Sequence, residues 1–230
     1  MSELAARNDS ESPLASEVLG TADCLSVVGQ LIRFENGHHR ADFFWSLEQK
    51  EAWLRSGSLF CSAVAEGDQW VALTSIFITT QRSMDELLAG KITENQLSPW
   101  FLGDGGAEPV FYFVPISKDT TASLLGLYDR LLVDITTYLA LKNLKVPAAY
   151  SIAFSPAAKQ HLVINGFEFM AATYDERPYS PMRIDAFTAK TDFWQRLMTP
   201  PAACSDPAKA VESRLRASKA ERYRNFYKTR

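Results

Sequence analysis

The residues best suited to chemistry in this 230-residue chain lie in a hydroxyl-rich segment just before a long stretch of helical periodicity. The segment contains one cation, Lys118, and the hydroxyls of Thr120, Thr121 and Ser123. The first amides of a helix are unpaired and carry partial positive charge, so a segment of this kind can hold a phosphate group. Asp119 opposes an anion, and the alternative is a Thr- or Asp-capped helix that binds nothing.

Several common catalytic motifs are absent from the sequence. It has no P-loop, no GxGxxG after a predicted strand, and no Ser-His-Asp grouping around a nucleophile elbow. These absences weaken the kinase, dehydrogenase and hydrolase interpretations. The adjacent pair His38 and His39 has no further His or Cys nearby, which favours a solvated helix entry over a metal site. We therefore expect no bound metal.

Composition is typical of a globular protein with a substantial core. Hydrophobic residues make up 47% of the chain, and the formal charge of 24 − 27 = −3 gives no overall polycation signature for nucleic acid or membrane surfaces. The three cysteines, Cys24, Cys61 and Cys204, are far apart, which favours reduced thiols and a cytoplasmic location. The most apolar region, Leu59–Ile78, is interrupted by polar residues, so no membrane helix is expected.

The elements that must position the candidate segment surround it in sequence. We predict a strand at Pro109–Ile116, a turn at 117–121, a helix from about Ala122 to Asn143, a strand at Ala148–Phe154, and a short helix from Ser155 to Asn165. Apolar residues recur at helical spacing through the long helix and leave its charged residues largely on another face. Gly166 ends the short helix in the left-handed conformation and turns the chain into the next strand.

The flanking regions extend this pattern to a single α/β domain. Helical periodicity predicts helices at Ala15–Phe34 and at about Ala41–Arg55, and two β-prone runs predict a hairpin over residues 59–80. A capping box predicts a further helix that begins at Ser83. A final hairpin is expected over residues 167–188, followed by a short helix. Residues 1–16 are expected to be a flexible end, 17–198 the domain, and 199–230 a Pro-rich linker and basic tail.

This order of elements resembles that of the GCN5-related N-acetyltransferase (GNAT) superfamily. The resemblance spans residues 15–190 and is sharpest at Tyr150–Phe169, where the family commonly reads N-x-x-A-x-x-x-Y-x-x-x-G-F. Ala158, Gly166 and Phe167 match that pattern. The resemblance implies a GNAT-like mixed sheet flanked by helices, with acetyl-coenzyme A or another acyl-coenzyme A as co-substrate. It also implies a small-molecule or protein amine as acceptor.

Two departures from the family pattern bear on catalysis. The usual Tyr, which protonates the leaving thiolate of coenzyme A, is replaced by Leu162, and the usual Asn by Ser155. Ser155 can still cap the helix. The family's phosphate loop, Q/R-x-x-G-x-G/A, corresponds to residues 117–123, which include no glycine. His161 adjoins Leu162 but lies about 100° around the helix axis from it.

The resemblance also implies where the co-substrate and the chemistry belong. It places the thioester carbonyl on a backbone amide near Val114, and Ile116, two residues further along the same strand, is a further candidate for binding the cofactor. Lys118, Thr120, Thr121 and Ser123 are then the candidates for holding the pyrophosphate, and Ser155, at the family's Asn position, is a further candidate for binding the cofactor. Candidates for acid–base catalysis are Glu108 and Tyr112, on or beside the same strand, and His161 on the short helix.

The C-terminal segment, residues 207–230, allows a second hypothesis. It carries eight basic and two acidic residues, a net charge of 8 − 2 = +6, together with three aromatic side chains. The plain interpretation is a solvated, partly helical tail. Alternatively, the chain is a catalytically inactive GNAT-like binding or regulatory module that contacts nucleic acid or an acidic partner through this tail. The missing loop glycines and Leu162 favour the inactive module, and the strand-helix-strand framework is compatible with both hypotheses.

Overall fold

The computed structural model describes residues 16–37, 45–66, 69–100, 107–117, 124–170 and 180–199. Its strands are β1 (Ser16–Leu19), β2 (Leu59–Glu66), β3 (Gln69–Thr80), β4 (Pro109–Ser117), β5 (Ala148–Ala153), β6 (Glu168–Phe169) and β7 (Ser180–Asp185). Its α-helices are α1 (Thr21–Ser26), α2 (Val28–Asn36), α3 (Leu47–Ser56), α4 (Gln81–Leu88), α5 (Leu124–Lys142), α6 (Pro156–Asn165) and α7 (Asp192–Met198). One turn of 3-10 helix, Glu94–Gln96, lies between α4 and β4.

The seven strands form one mixed sheet in the order β1-β2-β3-β4-β5-β7-β6. The neighbours are antiparallel except for β4 and β5, which are parallel because the chain crosses from one to the other through α5. The β2–β3 hairpin and the β6–β7 pairing confirm the two predicted hairpins. A mixed sheet flanked by helices in a single domain is the fold class expected from the sequence.

The N-terminal element differs from the prediction of one helix over Ala15–Phe34. Residues Ser16–Leu19 form β1, which pairs antiparallel with β2, and Gly20 then leads into α1. A four-residue segment is too short to distinguish a period of two from a period of 3.6, so pairing with the free edge of β2 decides its structure. The chain turns again at Val27 before α2 begins.

Helix α4 begins two residues before the predicted start. Thr80 is its N-cap, because the Thr80 hydroxyl accepts a hydrogen bond from the Ser83 amide at 3.1 Å. The Ser83 hydroxyl instead accepts from the Ser98 amide at 3.3 Å and ties the following loop to the helix. The capping box predicted at Ser83 is therefore wrong, although the helix itself is confirmed.

The sheet separates two hydrophobic cores, and β4 contributes to both. Val110, Tyr112 and Val114 pack with α1 to α4 on one face, whereas Phe111 and Phe113 pack with α5, α6 and α7 on the other. Side chains of successive strand residues point to opposite faces, so the unbroken apolar sequence of β4 fills both cores. This burial on both faces explains why β4 reads as a continuous apolar run.

The loop between α4 and β4 is anchored to the sheet by Trp100. The Trp100 amide donates to the Ile78 carbonyl at 2.9 Å, and its indole N–H donates to the Ala107 carbonyl at 3.0 Å. The Ser58 hydroxyl donates to the Trp100 carbonyl at 2.8 Å. These bonds join the loop to β3, and Trp100 packs in the hydrophobic core on the α5 face of the sheet.

Candidate active site at the divergence of two parallel strands

Strands β4 and β5 pair only near their N-terminal ends. Their ladder consists of Phe111 opposite Ala149 and Tyr112 opposite Tyr150. One residue further, the Ser151 hydroxyl donates to the Phe113 carbonyl at 2.8 Å. Beyond that bond β4 continues along β3 and β5 continues along β7, which leaves a gap between their carboxyl ends. Crevices at the carboxyl ends of parallel strands are common ligand sites.

Pro115 lies on the edge of β4 that faces this gap. The backbone N–H and C=O of one strand residue point to one edge, and those of the next residue point to the other. Because the Phe113 carbonyl points toward β5, Pro115 presents its backbone to the same side. No ladder hydrogen bond is lost there through the missing N–H of proline. The Pro115 carbonyl oxygen is thereby directed toward the gap.

The same alternation places the backbone groups of Val114 and Ile116 toward β3. The register of β4 against β3 is continuous from Pro109 to Ser117, without a bulge that could redirect them. The Val114 amide itself therefore faces β3, and the contact of an amide near Val114 with a thioester carbonyl stays a prediction. The Val114 side chain is buried on the α1 to α4 face.

The predicted phosphate-binding residues are only partly described. Lys118, Thr120, Thr121 and Ser123 lie outside the described residues, between β4 and α5. Ser155 is the N-cap of α6, and its hydroxyl accepts from the Ala158 amide at 3.1 Å. The capping role predicted for Ser155 is confirmed, and its role in cofactor binding stays a prediction.

Glu108 lies at the end of β4 that is distant from the gap. It is exposed, and its backbone carbonyl accepts from the Gln81 amide at 2.9 Å. Tyr112 lies four positions further along the chain, a distance of roughly 13 Å along β4. The geometry therefore does not bring the Glu108 carboxylate to the crevice where a base was predicted.

His161 is paired with a tyrosine of the long helix. Its Nε2 lies 2.8 Å from the Tyr128 hydroxyl oxygen, and the two rings are stacked with centroids 6.2 Å apart. Burial lowers the pKa of His161 and raises the pKa of the Tyr128 hydroxyl, so both groups are neutral near pH 7. Leu162, at the family's tyrosine position, is fully buried in the α5 face core.

Tyr112 adjoins the gap and contacts a carboxyl group that the sequence analysis did not identify. It is the last β4 residue in the parallel ladder, and its hydroxyl donates to Glu94 Oε2 at 3.1 Å. Both side chains are almost completely buried. The neighbouring Tyr150 hydroxyl donates to Gln81 Oε1 at 3.0 Å. Two tyrosines at the point of divergence are thus held by polar groups from the α4 side.

A buried ion pair lies in the same layer. Lys50 Nζ is 2.8 Å from Glu35 Oε1 and 2.7 Å from Glu35 Oε2, and both side chains are 0% exposed. The Lys50 ammonium also lies 5.2 Å from the Trp45 ring centroid and 5.0 Å from that of Phe77. Burial alone would lower the pKa of Lys50, but the Glu35 carboxylate outweighs it and raises that pKa. Lys50 is therefore a cation that is engaged mainly by Glu35.

The ion pair of Lys50 and Glu35 compensates the buried charge of an ionised Glu94 only weakly. Burial raises the pKa of Glu94 to about 7, the Glu35 carboxylate raises it as well, and Lys50 and the Tyr112 hydroxyl lower it. Within the described part of the chain, Glu94 Oε1 has no hydrogen-bond partner. The Trp45 indole N–H is close enough to lower the Glu94 pKa, yet it makes no well-formed hydrogen bond.

The sequence contained one local signal for Glu94. Thr93 and Gln96 have the spacing of a capping box, and in the structure the Thr93 amide donates to Gln96 Oε1 at 2.9 Å. This pattern places Glu94 at the first position of a helical turn. Its contact with Tyr112 spans 18 residues of sequence and depends on how the loop packs on the sheet.

The described residues do not support metal binding or thiol chemistry. No group of three or more His, Cys, Asp or Glu side chains there could hold a metal ion, and His38 and His39 lie outside them. Burial raises the pKa of the Cys24 thiol and raises that of Cys61 to about 11, so neither is a ready nucleophile. No helix among the described residues is long and apolar enough to span a membrane.

Comparison with known proteins gives similarity to solved structures only. No protein-family model matches the chain, and no curated protein matches it. FeeM, an N-acyl amino acid synthase from uncultured soil microbes, is 13% identical with a TM-score of 0.40, covering 74% of this chain and 91% of that one. The putative acetyltransferase yncA from Salmonella typhimurium, with its cofactor acetyl-CoA, is 12% identical with a TM-score of 0.41, covering 83% and 99%. The GNAT domain of S. lividans PAT is 12% identical with a TM-score of 0.43, covering 74% and 90%.

The topology of the sheet defines the class of fold. Antiparallel strands lead to a parallel pair that is joined by a long helix and separates at its carboxyl ends, and a short helix and a hairpin follow. This is the arrangement expected of a divergent GNAT-type domain. The assignment concerns the fold, because function depends on the residues of the site.

Proposed function

We propose that this chain is an acyl-coenzyme A-dependent N-acyltransferase whose thioester substrate enters the gap between β4 and β5. The observation that carries the proposal is the separation of these parallel strands after Tyr112 and Tyr150. Past that point the Pro115 carbonyl faces the gap rather than a paired strand. The pantetheine arm of coenzyme A carries two amide groups and can lie along such an edge like a short strand.

The phosphates would be held beyond the end of β4, where the chain enters α5. Lys118, Thr120, Thr121 and Ser123 offer a cation and hydroxyls there, and the N-terminus of α5 contributes its unpaired amides. The absence of glycine from this segment removes the close backbone approach of the usual loop, so the side chains take a larger share of phosphate binding. We therefore expect the contact with the pyrophosphate to be less extensive or weaker than in the usual glycine-containing loop.

Thermal shift and calorimetric titration with coenzyme A, acetyl-coenzyme A and longer acyl-coenzyme A thioesters test this proposal. Saturable binding stabilises the folded chain by roughly 2.7 kcal/mol at a ligand concentration of 100 Kd. Lys118→Ala and Thr121→Ala should each weaken binding. Lys142→Ala, an exposed lysine at the other end of α5, is the matched control and should not. Absence of binding at millimolar ligand across the series would rule out the acyltransferase.

A second candidate is an acyl-coenzyme A-binding or regulatory module without catalysis. The observation in its favour is that Leu162 is fully buried and His161 is engaged by Tyr128, so neither supplies an obvious proton donor to a leaving thiolate. This candidate predicts saturable binding with no thiol release for any amine. Deleting residues 207–230 then tests whether the basic tail binds nucleic acid or an acidic partner.

A further inference from the structure

Glu94 differs from the other buried charged groups of this layer in what satisfies it. Glu35 of α2 and Lys50 of α3 neutralise each other through two short contacts. Glu94, from the 3-10 helix, shares that environment but has only the Tyr112 hydroxyl of β4 on one oxygen. A carboxyl group kept solely for stability would be expected to have both oxygens bonded or a dedicated cation. Glu94 has neither within the described residues.

The position of Glu94 relative to β4 also distinguishes it from Glu35 and Lys50. Tyr112 ends the parallel ladder, so the Glu94 carboxyl is bonded to the side chain of the residue after which β4 and β5 begin to separate. Tyr112 faces the α1 to α4 side of the sheet. An acceptor that approaches a thioester in the gap from this side meets the face of the sheet on which the Tyr112 ring lies.

We propose that Tyr112 and Glu94 form the pair that receives the proton of the acceptor amine. This inference rests on the proposed acyl transfer and assigns its base. The amine nitrogen forms a bond to the thioester carbonyl carbon, and the carbon–sulfur bond breaks with its electron pair leaving on sulfur. The proton lost by nitrogen passes to the Tyr112 oxygen while the Tyr112 hydrogen passes to Glu94 Oε2. Glu94 then returns that proton through the Tyr112 hydroxyl, and the thiolate takes it up.

The charges around Glu94 suit a group that gains and loses a proton near neutrality. Glu35 disfavours ionisation, whereas Lys50, the Tyr112 hydroxyl and the Trp45 N–H favour it, and burial raises the pKa to about 7. A base is most effective when its pKa lies near the working pH. The ion pair of Glu35 and Lys50 keeps the net charge of the layer small in both states of Glu94.

The test measures thiol release from acetyl- and dodecanoyl-coenzyme A with the twenty amino acids, spermidine and a lysine-containing peptide as acceptors. For the wild type, kcat/KM should rise with pH through an apparent pKa near 7. Glu94→Gln should lower kcat by roughly 100-fold or more and abolish that limb of the profile. Tyr112→Phe should do the same, and Glu94→Asp should restore part of the rate. Glu86→Gln, at a partly exposed glutamate of α4 that pairs with Arg82, is the control and should leave rate and profile unchanged.

Acyl-coenzyme A affinity, measured by calorimetry on the same variants, distinguishes failure of the Tyr112–Glu94 assignment from failure of the proposed acyltransferase function. If wild type binds acyl-coenzyme A and releases thiol but Glu94→Gln keeps its rate and profile, the Tyr112–Glu94 assignment is overturned and the acyltransferase stands. If the wild type neither binds the thioesters nor releases thiol above the enzyme-free rate, both are overturned. If Glu94→Gln fails to fold, two other results test the assignment. It is contradicted if kcat/KM of the wild type does not change with pH near 7, or if Tyr112→Phe keeps the wild-type kcat.

Discussion

Ser151 and Phe113 are joined by a 2.8 Å hydrogen bond from the serine hydroxyl to the phenylalanine carbonyl, at the place where β4 and β5 cease to pair. A side chain rather than a backbone amide thus makes the last link between the two strands. This bond sets where the gap begins, because it satisfies the Phe113 carbonyl without continuing the ladder. The proposed thioester site therefore depends on a serine that belongs to no recognised motif.

Replacing Ser151 by Ala should destabilise the chain. The Phe113 carbonyl loses its partner in a buried position, which costs about 1–3 kcal/mol. Urea denaturation measures this change. Ser98→Ala, at an exposed serine, is the control and should alter stability by less than about 0.5 kcal/mol. Equal stability of the two variants would mean that the Ser151 bond does not hold the strands together.

Glu94→Gln should make the chain more stable at alkaline pH. Because burial raises the Glu94 pKa from 4.5 to about 7, the folded state keeps a proton there that the unfolded state loses. The stability that Glu94 contributes is therefore complete below about pH 4.5 and is lost as pH rises through about 7, by on the order of 3 kcal/mol. Gln carries no charge, so this loss should be absent from the variant.

Denaturation of wild type and Glu94→Gln at several pH values between 4 and 9 checks the sign. The difference between the two proteins should grow in favour of Glu94→Gln as pH rises. Glu86→Gln provides the control, because its ion pair with Arg82 is exposed to solvent. A difference that shrinks with rising pH would contradict the assigned environment of Glu94.

Lys50→Met should be among the most destabilising single substitutions in the α1 to α4 layer. It leaves the Glu35 carboxylate buried without its cation, which costs about 3–5 kcal/mol. The double variant with Glu35→Leu removes the stranded charge and should recover much of that loss. Arg55→Ala, which breaks the exposed pair with Glu51, should cost less than about 1 kcal/mol. Thermal or urea denaturation compares the four proteins.

Gly166→Ala should destabilise the chain by more than about 2 kcal/mol. Gly166 has a φ of +103°, and a Cβ there would overlap the Thr188 carbonyl and approach the Lys190 amide to 2.8 Å. Gly90→Ala is the matched control, because Gly90 also has a positive φ, of +68°, but has open space around it. Strain alone predicts a cost of about 1 kcal/mol at Gly90. Similar losses in both variants would show that the packing against Thr188 is unimportant.

Local pattern predicted most of the fold because the relevant signals are short-range. The continuous apolar run of β4, the helical spacing of α5 and the Ser-Pro start and Gly end of α6 are each confirmed within a few residues. The resemblance of their order to that of the GNAT superfamily then predicted the mixed sheet. The pattern failed where segments were short, as at β1, where pairing with β2 decided the conformation of four residues.

Tertiary structure alone decided how the charged groups are combined. Glu35, Lys50 and Glu94 come from three separate elements, and the printed sequence offers nothing to distinguish them from solvated residues. Packing of the loop onto β4 brings Glu94 to Tyr112 and removes it from water, and that burial produces its high pKa. Sequence therefore determined the framework and the location of Tyr112 on it. The partner of Tyr112, and the position at which the two strands separate, depend on contacts between residues distant in the chain.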